Sequence, residues 1–317
     1  MTGNWTVLAS GSGGNASLLQ WNGQGLLLDI GLGPRQFDSR LSEIGFGWDG
    51  IRGVVLTHTH SDHWNPRTLA RLAASRIPFF CHSDHLRPLQ LGCREFQDLQ
   101  FGGLVKTYSS GRDFVPILGV RCRPLELKHD GGPTFGFRIE EETQAVPPRW
   151  AIGYAADLGS WDERLAEGLA NVDVLAIEFN HDVDMQLASR RARWLINRVL
   201  GEFGHLSNVQ GAKLLEACVR RSSAGRLRHL VQLHLSRECN KPPLAVATAR
   251  ELISRLELDL ELHTAAQDKP GRSISLSFEN LAGADKERGR RGDKETNGTG
   301  AGPGGAHLVS PSPRLLF

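Results

Sequence analysis

The chain has 317 residues, of which 40% are hydrophobic, and this length and composition suffice for a large buried core. Its formal net charge of +2 does not by itself indicate a nucleic-acid-binding protein, because binding to a phosphate backbone normally uses several lysines or arginines. A basic leader, an apolar stretch of about 18 residues and a Cys-x-x-Cys pair are all lacking, so we expect a cytoplasmic protein without a membrane span, a disulfide framework or a thiolate zinc knuckle.

Apolar runs predict strands, and apolar residues at helical spacing predict helices. In chain order, the predicted strands lie near residues 4–9, 16–21, 25–30, 51–57, 113–128, 134–140, 150–156, 172–178, 227–233, 259–263 and 273–278. The predicted helices lie near residues 35–44, 66–75, 184–200, 208–222 and 242–256. Runs of strands with helices in both halves favour two sheets packed face to face with helices outside. We therefore expect an α+β fold, a four-layer αββα sandwich of two mixed sheets.

One folded domain is expected over residues 1–282, followed by a disordered, glycine-rich, charged tail over residues 283–317. From Gly283 onward glycine, charged residues and proline dominate. Such a segment cannot bury enough apolar surface to offset the entropy lost on ordering.

A cluster of potential metal ligands follows the apolar run Ile51–Leu56 directly. It contains His58, His60, Asp62 and His63. Imidazole and carboxylate groups suit zinc, manganese or iron, and the cluster offers more ligands than one structural ion takes from a single loop. A solvated polar loop is the alternative interpretation, although clustered histidines need partners. The spacing predicts ligands for two neighbouring metal ions.

Further candidate ligands stand where other predicted strands end. His129 follows the strand pattern of residues 120–127, Asp157 follows residues 150–156, and His234 follows residues 227–233. A binuclear centre needs ligands from several segments, and these strand ends can supply them.

These residues carry a family resemblance. The cluster, followed in order by His129, Asp157 and His234, resembles the ligand set of the metallo-β-lactamase superfamily of hydrolases. More narrowly, three stretches resemble the YycJ-like (WalJ-like) group of bacterial exonucleases: residues 9–17 (ASGSGGNAS), 178–182 (EFNHD) and 204–208 (GHLSN). The resemblance implies that residues 1–282 form a metallo-β-lactamase-like hydrolase domain.

The resemblance also implies a role for each ligand. His58, His60 and His129 would hold one divalent ion, and Asp62, His63 and His234 would hold a second, with Asp157 bridging the two. Zinc and manganese are the expected metals. This chain has Leu233 where the group has glycine before the last histidine, and His181, His205 and His234 all remain candidates for that last ligand.

Two ions about 4 Å apart can lower the pKa of a water to about 7 and stabilise both the attacking and the leaving oxygen. We therefore expect a metal-bridging hydroxide as nucleophile, with Asp62 accepting a hydrogen bond from it. His205 or His181 either donates a proton to the leaving 3′ oxygen or hydrogen-bonds a metal ligand.

The candidate substrate-binding residues are Ser12, Asn15, Asn180 and Ser207. The loop over residues 10–15 either presents backbone N–H groups to a phosphate or is a tight turn. Ser207 can also serve as a helix cap. Arginines cluster in two stretches of the sequence, either as phosphate contacts or as solvated helix faces: Arg190, Arg191, Arg193, Arg198, Arg220, Arg221, Arg226 and Arg228.

We expect a metal-dependent hydrolase acting on nucleic acid, and the resemblance implies a DNA exonuclease in repair. The charged tail is then either disordered or an arm that holds nucleic acid. The alternatives are a thioesterase of the glyoxalase II type and a non-hydrolytic metal-binding accessory protein of the superfamily. A flavin-linked diiron oxidoreductase is disfavoured, because this chain has His60 at the position where that branch of the superfamily has a glutamate. No stable protein partner is indicated.

Overall fold

The computed structural model describes residues 3–276, and within this range the strands form two sheets. The first sheet has seven strands among these residues, in the order β14-β1-β2-β3-β4-β5-β6. Strands β14, β1, β2 and β3 pair antiparallel, whereas β3 to β6 run parallel. Their bounds are β1 Gly3–Ala9, β2 Ala16–Trp21, β3 Gln24–Leu28, β4 Ile51–Val55, β5 Phe79–His82, β6 Val105–Tyr108 and β14 Ile274–Ser275.

The second sheet contains the other seven strands of the described range, in the order β13-β12-β11-β10-β9-β8-β7. Strands β7 to β10 pair antiparallel, and β10 to β13 run parallel. Their bounds are β7 Phe114–Ile117, β8 Val120–Leu127, β9 Thr134–Glu141, β10 Ala151–Ala155, β11 Val174–Glu178, β12 His229–Leu233 and β13 Glu261–Thr264. Strands β10 and β11 are buried at every residue, as is typical of parallel strands covered on both faces.

Helices cover the outer face of each sheet. Leu27 of the first sheet packs with Phe37, Leu69 and Phe96 of its helices, and Phe179 of the second half packs with Leu214. The helices are α1 Pro34–Glu43, α2 Pro66–Ala74, α3 Leu86–Gly92, α4 Arg94–Phe101, α5 Glu163–Gly168, α6 Val183–Ala188, α7 Arg193–Leu200, α8 Asn208–Arg220 and α9 Pro242–Arg255.

A third apolar cluster lies between the inner faces of the two sheets. Trp5 and Leu19 of the first sheet belong to it together with Phe137, Ile152 and Val231 of the second. Helices, sheet, sheet and helices therefore form the four layers of the predicted αββα sandwich, and the fold class is confirmed.

Two predicted elements differ from the structure for identifiable local reasons. The single strand predicted over residues 113–128 is a hairpin, β7 and β8, because Gly119 adopts a positive φ of 79° and turns the chain. The single helix predicted over residues 184–200 is divided into α6 and α7. Ser189 is extended there, with φ −67° and ψ 153°, and its hydroxyl donates to the carbonyl of Gln186.

The predicted boundary at residue 282 and the tail over residues 283–317 lie outside the described residues. Among the helices of residues 3–276, none has the length and apolar character needed to cross a membrane.

Candidate metal centre

The histidine cluster lies in the loop that follows β4. His58 and His63 are buried, whereas His60 and Asp62 are partly open to solvent. The ring centroids of His58 and His63 are 4.0 Å apart, and those of His58 and His60 are 4.8 Å apart. Strand β4 thus delivers several imidazoles to one rim of the first sheet.

The second sheet contributes candidate ligands at the same rim. His129 follows β8, Asp157 follows β10 and His234 follows β12. Asp157 and His234 both have positive φ angles, 61° and 55°, which are unfavourable for residues other than glycine. Such conformations persist where the surrounding structure holds them, and they concentrate at functional sites.

The candidate ligands form overlapping sets whose ligand atoms lie within 4.8 Å of one another. One set contains His58, His60 and His129, with 3.2 Å between His60 Nδ1 and His129 Nε2. A second set contains Asp62, His63 and His234, and Asp62 Oδ2 lies 3.6 Å from Nε2 of each histidine. The structure thus brings together the residues of each grouping that the family resemblance implies, and their role as ligands stays a prediction.

Asp157 stands between the two sets. It shares a set with His58 and His63, and its Oδ2 lies 3.1 Å from His63 Nε2. Its other oxygen, Oδ1, lies 3.1 Å from Nδ1 of His234. Burial opposes ionisation of Asp157, but His234 and His63 outweigh it and hold its pKa well below the usual value. The Asp157 side chain is therefore a charged carboxylate, which is the form that binds a cation.

The buried polar atoms at the centre indicate whether divalent cations would fit between the two sets of candidate ligands. His58 Nε2 and His234 Nε2 are buried and have no hydrogen-bond partner. Buried polar atoms normally have a partner, and an ion is one explanation when none is visible. Imidazole nitrogen and carboxylate oxygen are also the donors that zinc and manganese accept. The residues therefore fit divalent metal ions.

Protein partners on Nδ1 turn the Nε2 atoms of several histidines towards the centre. Nδ1 of His63 lies 2.8 Å from Asp29 Oδ2, and Nδ1 of His129 lies 2.9 Å from the Gly204 carbonyl. Nδ1 of His58 lies 3.0 Å from the hydroxyl of Thr57, which also donates to Asp29. Partners of this kind fix the orientation of metal-binding imidazoles.

The two sets differ in charge. Burial lowers the pKa of His58, His60 and His129, and each is also lowered by a neighbouring imidazole, so this set stays neutral. Burial disfavours the charged form of His63 as well, but Asp29 and Asp157 raise its pKa well above the usual value. Because metal ligands must be deprotonated, a cation would displace the proton from His63.

Glu178 is a site residue that the sequence interpretation did not select. It ends β11, is fully buried, and its Oε1 lies 2.8 Å from His205 Nδ1 and 2.9 Å from His234 Nδ1. Its Oε2 accepts hydrogen bonds from the backbone N–H groups of Leu158 and Leu206. Burial raises the pKa of Glu178, but the two histidines outweigh it and lower the pKa to about 2. The sequence signal that could have identified Glu178 is its position as the single acidic residue at the end of the otherwise apolar strand β11.

The three candidates for the last ligand have different surroundings. His234 belongs to the set of Asp62 and His63, whereas His205 belongs to a set with Asp157, Glu178 and His234. His181 is in none of the ligand sets of residues 3–276. It is buried, neither ring nitrogen has a hydrogen-bond partner, and burial lowers its pKa to about 4.

Most of the predicted substrate-binding side chains are bound within the protein. Asn15 Nδ2 lies 3.0 Å from His63 Nε2 and also donates to Asp62, so Asn15 fastens the loop of residues 10–15 to the ligands. Asn180 donates to the carbonyl of His234, and Ser207 caps α8. Ser12 is exposed in its turn. Direct contact of these residues with substrate stays a prediction.

Comparison with known proteins identifies the family. Residues 26–224 match the model of the β-lactamase superfamily domain. The chain belongs to the β-lactamase superfamily. The resemblance seen in the motifs is thereby confirmed, and so is its consequence that the chain is a hydrolase with the metallo-β-lactamase fold.

Curated relatives within this superfamily cover most of the chain. Exodeoxyribonuclease WalJ of Streptococcus pneumoniae is 28% identical over 259 residues, which span 80% of this chain and 89% of the relative. Exodeoxyribonuclease YycJ of Bacillus anthracis is 23% identical over 259 residues, spanning 79% and 89% respectively. Both belong to the group that the three short motifs resemble.

A solved structure shows the same superfamily fold. The metallo-β-lactamase fold protein YhfI of Bacillus subtilis matches with a TM-score of 0.60 and 16% identity, over 87% of this chain and all of that one (100%). The family and the donor set together indicate that the chain uses divalent metal.

Proposed function

We propose that the chain is a nuclease that hydrolyses phosphodiester bonds of DNA at a centre of two divalent metal ions, with strand degradation during repair as its role. The observation that carries the proposal is the convergence of two ligand sets around Asp157, beside a histidine held by the buried Glu178. The relatives named exodeoxyribonucleases, at 28% and 23% identity, support DNA as the substrate.

In this proposal His58, His60 and His129 hold one ion, and Asp62, His63 and His234 hold the other. Asp157 contributes to both, because it lies within reach of His58 and of the second set. Zinc and manganese both accept these donors. When bound, two such ions lower the pKa of water and stabilise negative charge on the attacking and leaving oxygens of a phosphodiester.

The residues around the ligands hold them in place for this chemistry. Asp29 fixes the ring of His63, Thr57 contacts both Asp29 and His58, and Asn180 fastens the backbone of His234. Ligands oriented in this way bind metal more tightly, because the protein has already met the entropic cost of ordering them.

His205 is the proton donor of the proposal. Its Nδ1 faces Glu178, so its Nε2 is available to protonate the leaving 3′ oxygen. The ring is only partly exposed and lies 5.0 Å from His129 and 5.1 Å from His234, between centroids, so it stands beside both sets of ligands. A positioned general acid contributes about 10²- to 10⁴-fold to a hydrolysis rate.

The test is an assay of the purified protein, loaded with zinc or manganese, on labelled duplex DNA, single-stranded DNA, RNA and a glutathione thioester. We expect cleavage of DNA, and its loss in His58→Ala. The control is His82→Ala, which removes a histidine outside the metal-ligand sets of the described residues. Hydrolysis of the thioester without cleavage of any nucleic acid would overturn the proposal in favour of a thioesterase of the glyoxalase II type.

A further inference from the structure

The segment that precedes and forms α7 crosses the rim of the metal centre. At one end, Arg191 donates to Glu238 and lies 3.5 Å from the hydroxyl of Ser236, two residues after His234. At the other end, Arg198 binds both oxygens of Asp130, whose Oδ1 lies 3.8 Å from His60 Nε2 and 3.7 Å from His129 Nε2. Residues 191–198 therefore extend from the second ligand set to the first.

Trp194 lies midway along this segment and is 67% exposed. It precedes Arg198 by four residues, so the two share one face of α7, and that face contains the contact to Asp130. Ile196 and Val199 occupy the buried face of the helix. The indole therefore lies on the exposed surface of this segment and is not part of the core.

A second exposed aromatic ring stands at the same rim. Phe203 is 53% exposed and lies two residues before His205. Its carbonyl accepts a hydrogen bond from the backbone N–H of Asp130, which fixes it next to the first ligand set. Isolated exposed aromatics are ordinary on protein surfaces. These two rings, however, lie on segments that both bind Asp130, which stands beside the first ligand set.

The charge of the segment indicates what binds there. Residues 188–200 contain four arginines and no acidic residue. Among the described residues, Arg191 and Arg198 are paired with acids, whereas Arg190 and Arg193 are exposed and form no ion pair. Exposed aromatic rings interleaved with unpaired cations are typical of sites that bind single-stranded nucleic acid, where bases stack and phosphates are neutralised.

The geometry points to a base-stacking site for unpaired nucleotides, formed by Trp194 and Phe203 and flanked by Arg190 and Arg193. The inference rests on the proposed nuclease function and names the form of its substrate, a strand with an unpaired end. Bases inside a duplex stack on both neighbours and present no free face to an indole at the rim, whereas an unpaired base does.

The test combines a change in the protein with a change in the strand. Binding of the metal-loaded protein is measured by fluorescence anisotropy on two labelled single strands that carry terminal phosphorothioate linkages to slow cleavage. One strand has normal bases at its end, and the other has abasic sites there, with the same number of phosphates. We expect the normal strand to bind about tenfold more tightly, since stacking on an aromatic side chain contributes about this much per base.

Trp194→Ala should reduce the preference for the strand with bases, Trp194→Phe should restore most of it, and Trp194→Ala combined with Phe203→Ala should abolish it. Arg193→Gln should weaken binding of both strands alike and reduce the dependence on salt by about one phosphate contact. The matched control is Phe101→Ala, which removes an aromatic ring that is 87% exposed at the end of α4 and should keep the full preference.

Two failures can be told apart. A preference that survives in full when both Trp194 and Phe203 are replaced by alanine, or that is missing in the unaltered protein, would overturn the stacking site. Strands that bind with the expected preference but are never cleaved, with zinc or with manganese and after replacement of the phosphorothioates by phosphates, would refute the proposed nuclease function and leave the stacking site standing.

Discussion

Oε1 of Glu178 lies 2.8 Å from Nδ1 of His205, and the same oxygen lies 2.9 Å from Nδ1 of His234. A single buried carboxylate therefore orients both the proposed proton donor and a proposed ligand of the second ion. Its other oxygen is held by the backbone of Leu158 and Leu206, so Glu178 cannot turn away from the two rings without losing those hydrogen bonds.

We expect Glu178→Gln to impair catalysis and metal binding together. Glutamine keeps the shape of the side chain but removes the charge, so turnover should fall by about 10²-fold and metal affinity by about 10- to 100-fold. Turnover at saturating metal and chelator competition measure the two effects separately. Glu202→Gln, which removes only an exposed partner of Lys128, is the control. Unchanged turnover in Glu178→Gln would contradict the assigned role.

The candidate ligands could be selected from the sequence because their signals are local. Apolar runs identify the strands, and His58, His129, Asp157 and His234 each stand just beyond one of them. Their partners are determined by the tertiary structure instead. Glu178 is 27 residues from His205, and Asp29 is 34 residues from His63, so no spacing rule connects them.

The region between α2 and β7 received no prediction because its elements are short. Strands β5 and β6 have four residues each, and two residues of β6 are exposed. Helix α3 contains a proline and ends at Gly92, directly before Cys93 and α4. Fewer than two full helical turns give little periodicity to detect, and tertiary packing decides such segments.

Asp29→Asn should weaken metal binding without removing a proposed ligand. The Asp29 carboxylate lies 2.8 Å from Nδ1 of His63 and accepts a hydrogen bond from the backbone N–H of Thr57. A neutral amide supports the His63 ring less well, so we expect about a 10- to 100-fold loss of affinity for one ion. Titration against a chelator measures the loss. Asp38→Asn, at an exposed pair with Arg71, should bind metal as the unaltered protein does.

The metal-free protein should lose stability in mild acid through His85. Burial lowers the pKa of His85 from 6.5 to about 4, although its hydrogen bond to the Pro133 carbonyl opposes the shift. Above pH 6.5 neither folded nor unfolded protein is protonated there, so this residue adds no pH dependence. Between pH 6.5 and about 4 the unfolded chain binds a proton that the folded protein does not, and the free energy of unfolding therefore decreases as the pH falls.

The contribution of His85 to the free energy of unfolding can be isolated by urea denaturation of chelator-treated protein at pH 7 and pH 5. The unaltered protein should lose about 2 kcal/mol more than His85→Gln between these two values, because glutamine does not titrate. An equal loss in His85→Gln would show that other groups account for the acid sensitivity.

His234→Ala and His205→Ala should separate a ligand from a proton donor. His234 Nε2 is buried, has no hydrogen-bond partner and lies 3.6 Å from Asp62 Oδ2, so its removal should cost one ion together with activity. His205→Ala should keep its metal and lose about 10²- to 10⁴-fold in turnover. The loss should be smaller on a nitrophenyl phosphodiester, whose leaving group needs no proton. Elemental analysis of both variants, together with turnover on DNA and on the nitrophenyl phosphodiester, distinguishes the two roles. If His205→Ala loses an ion while His234→Ala retains both, the two roles are exchanged.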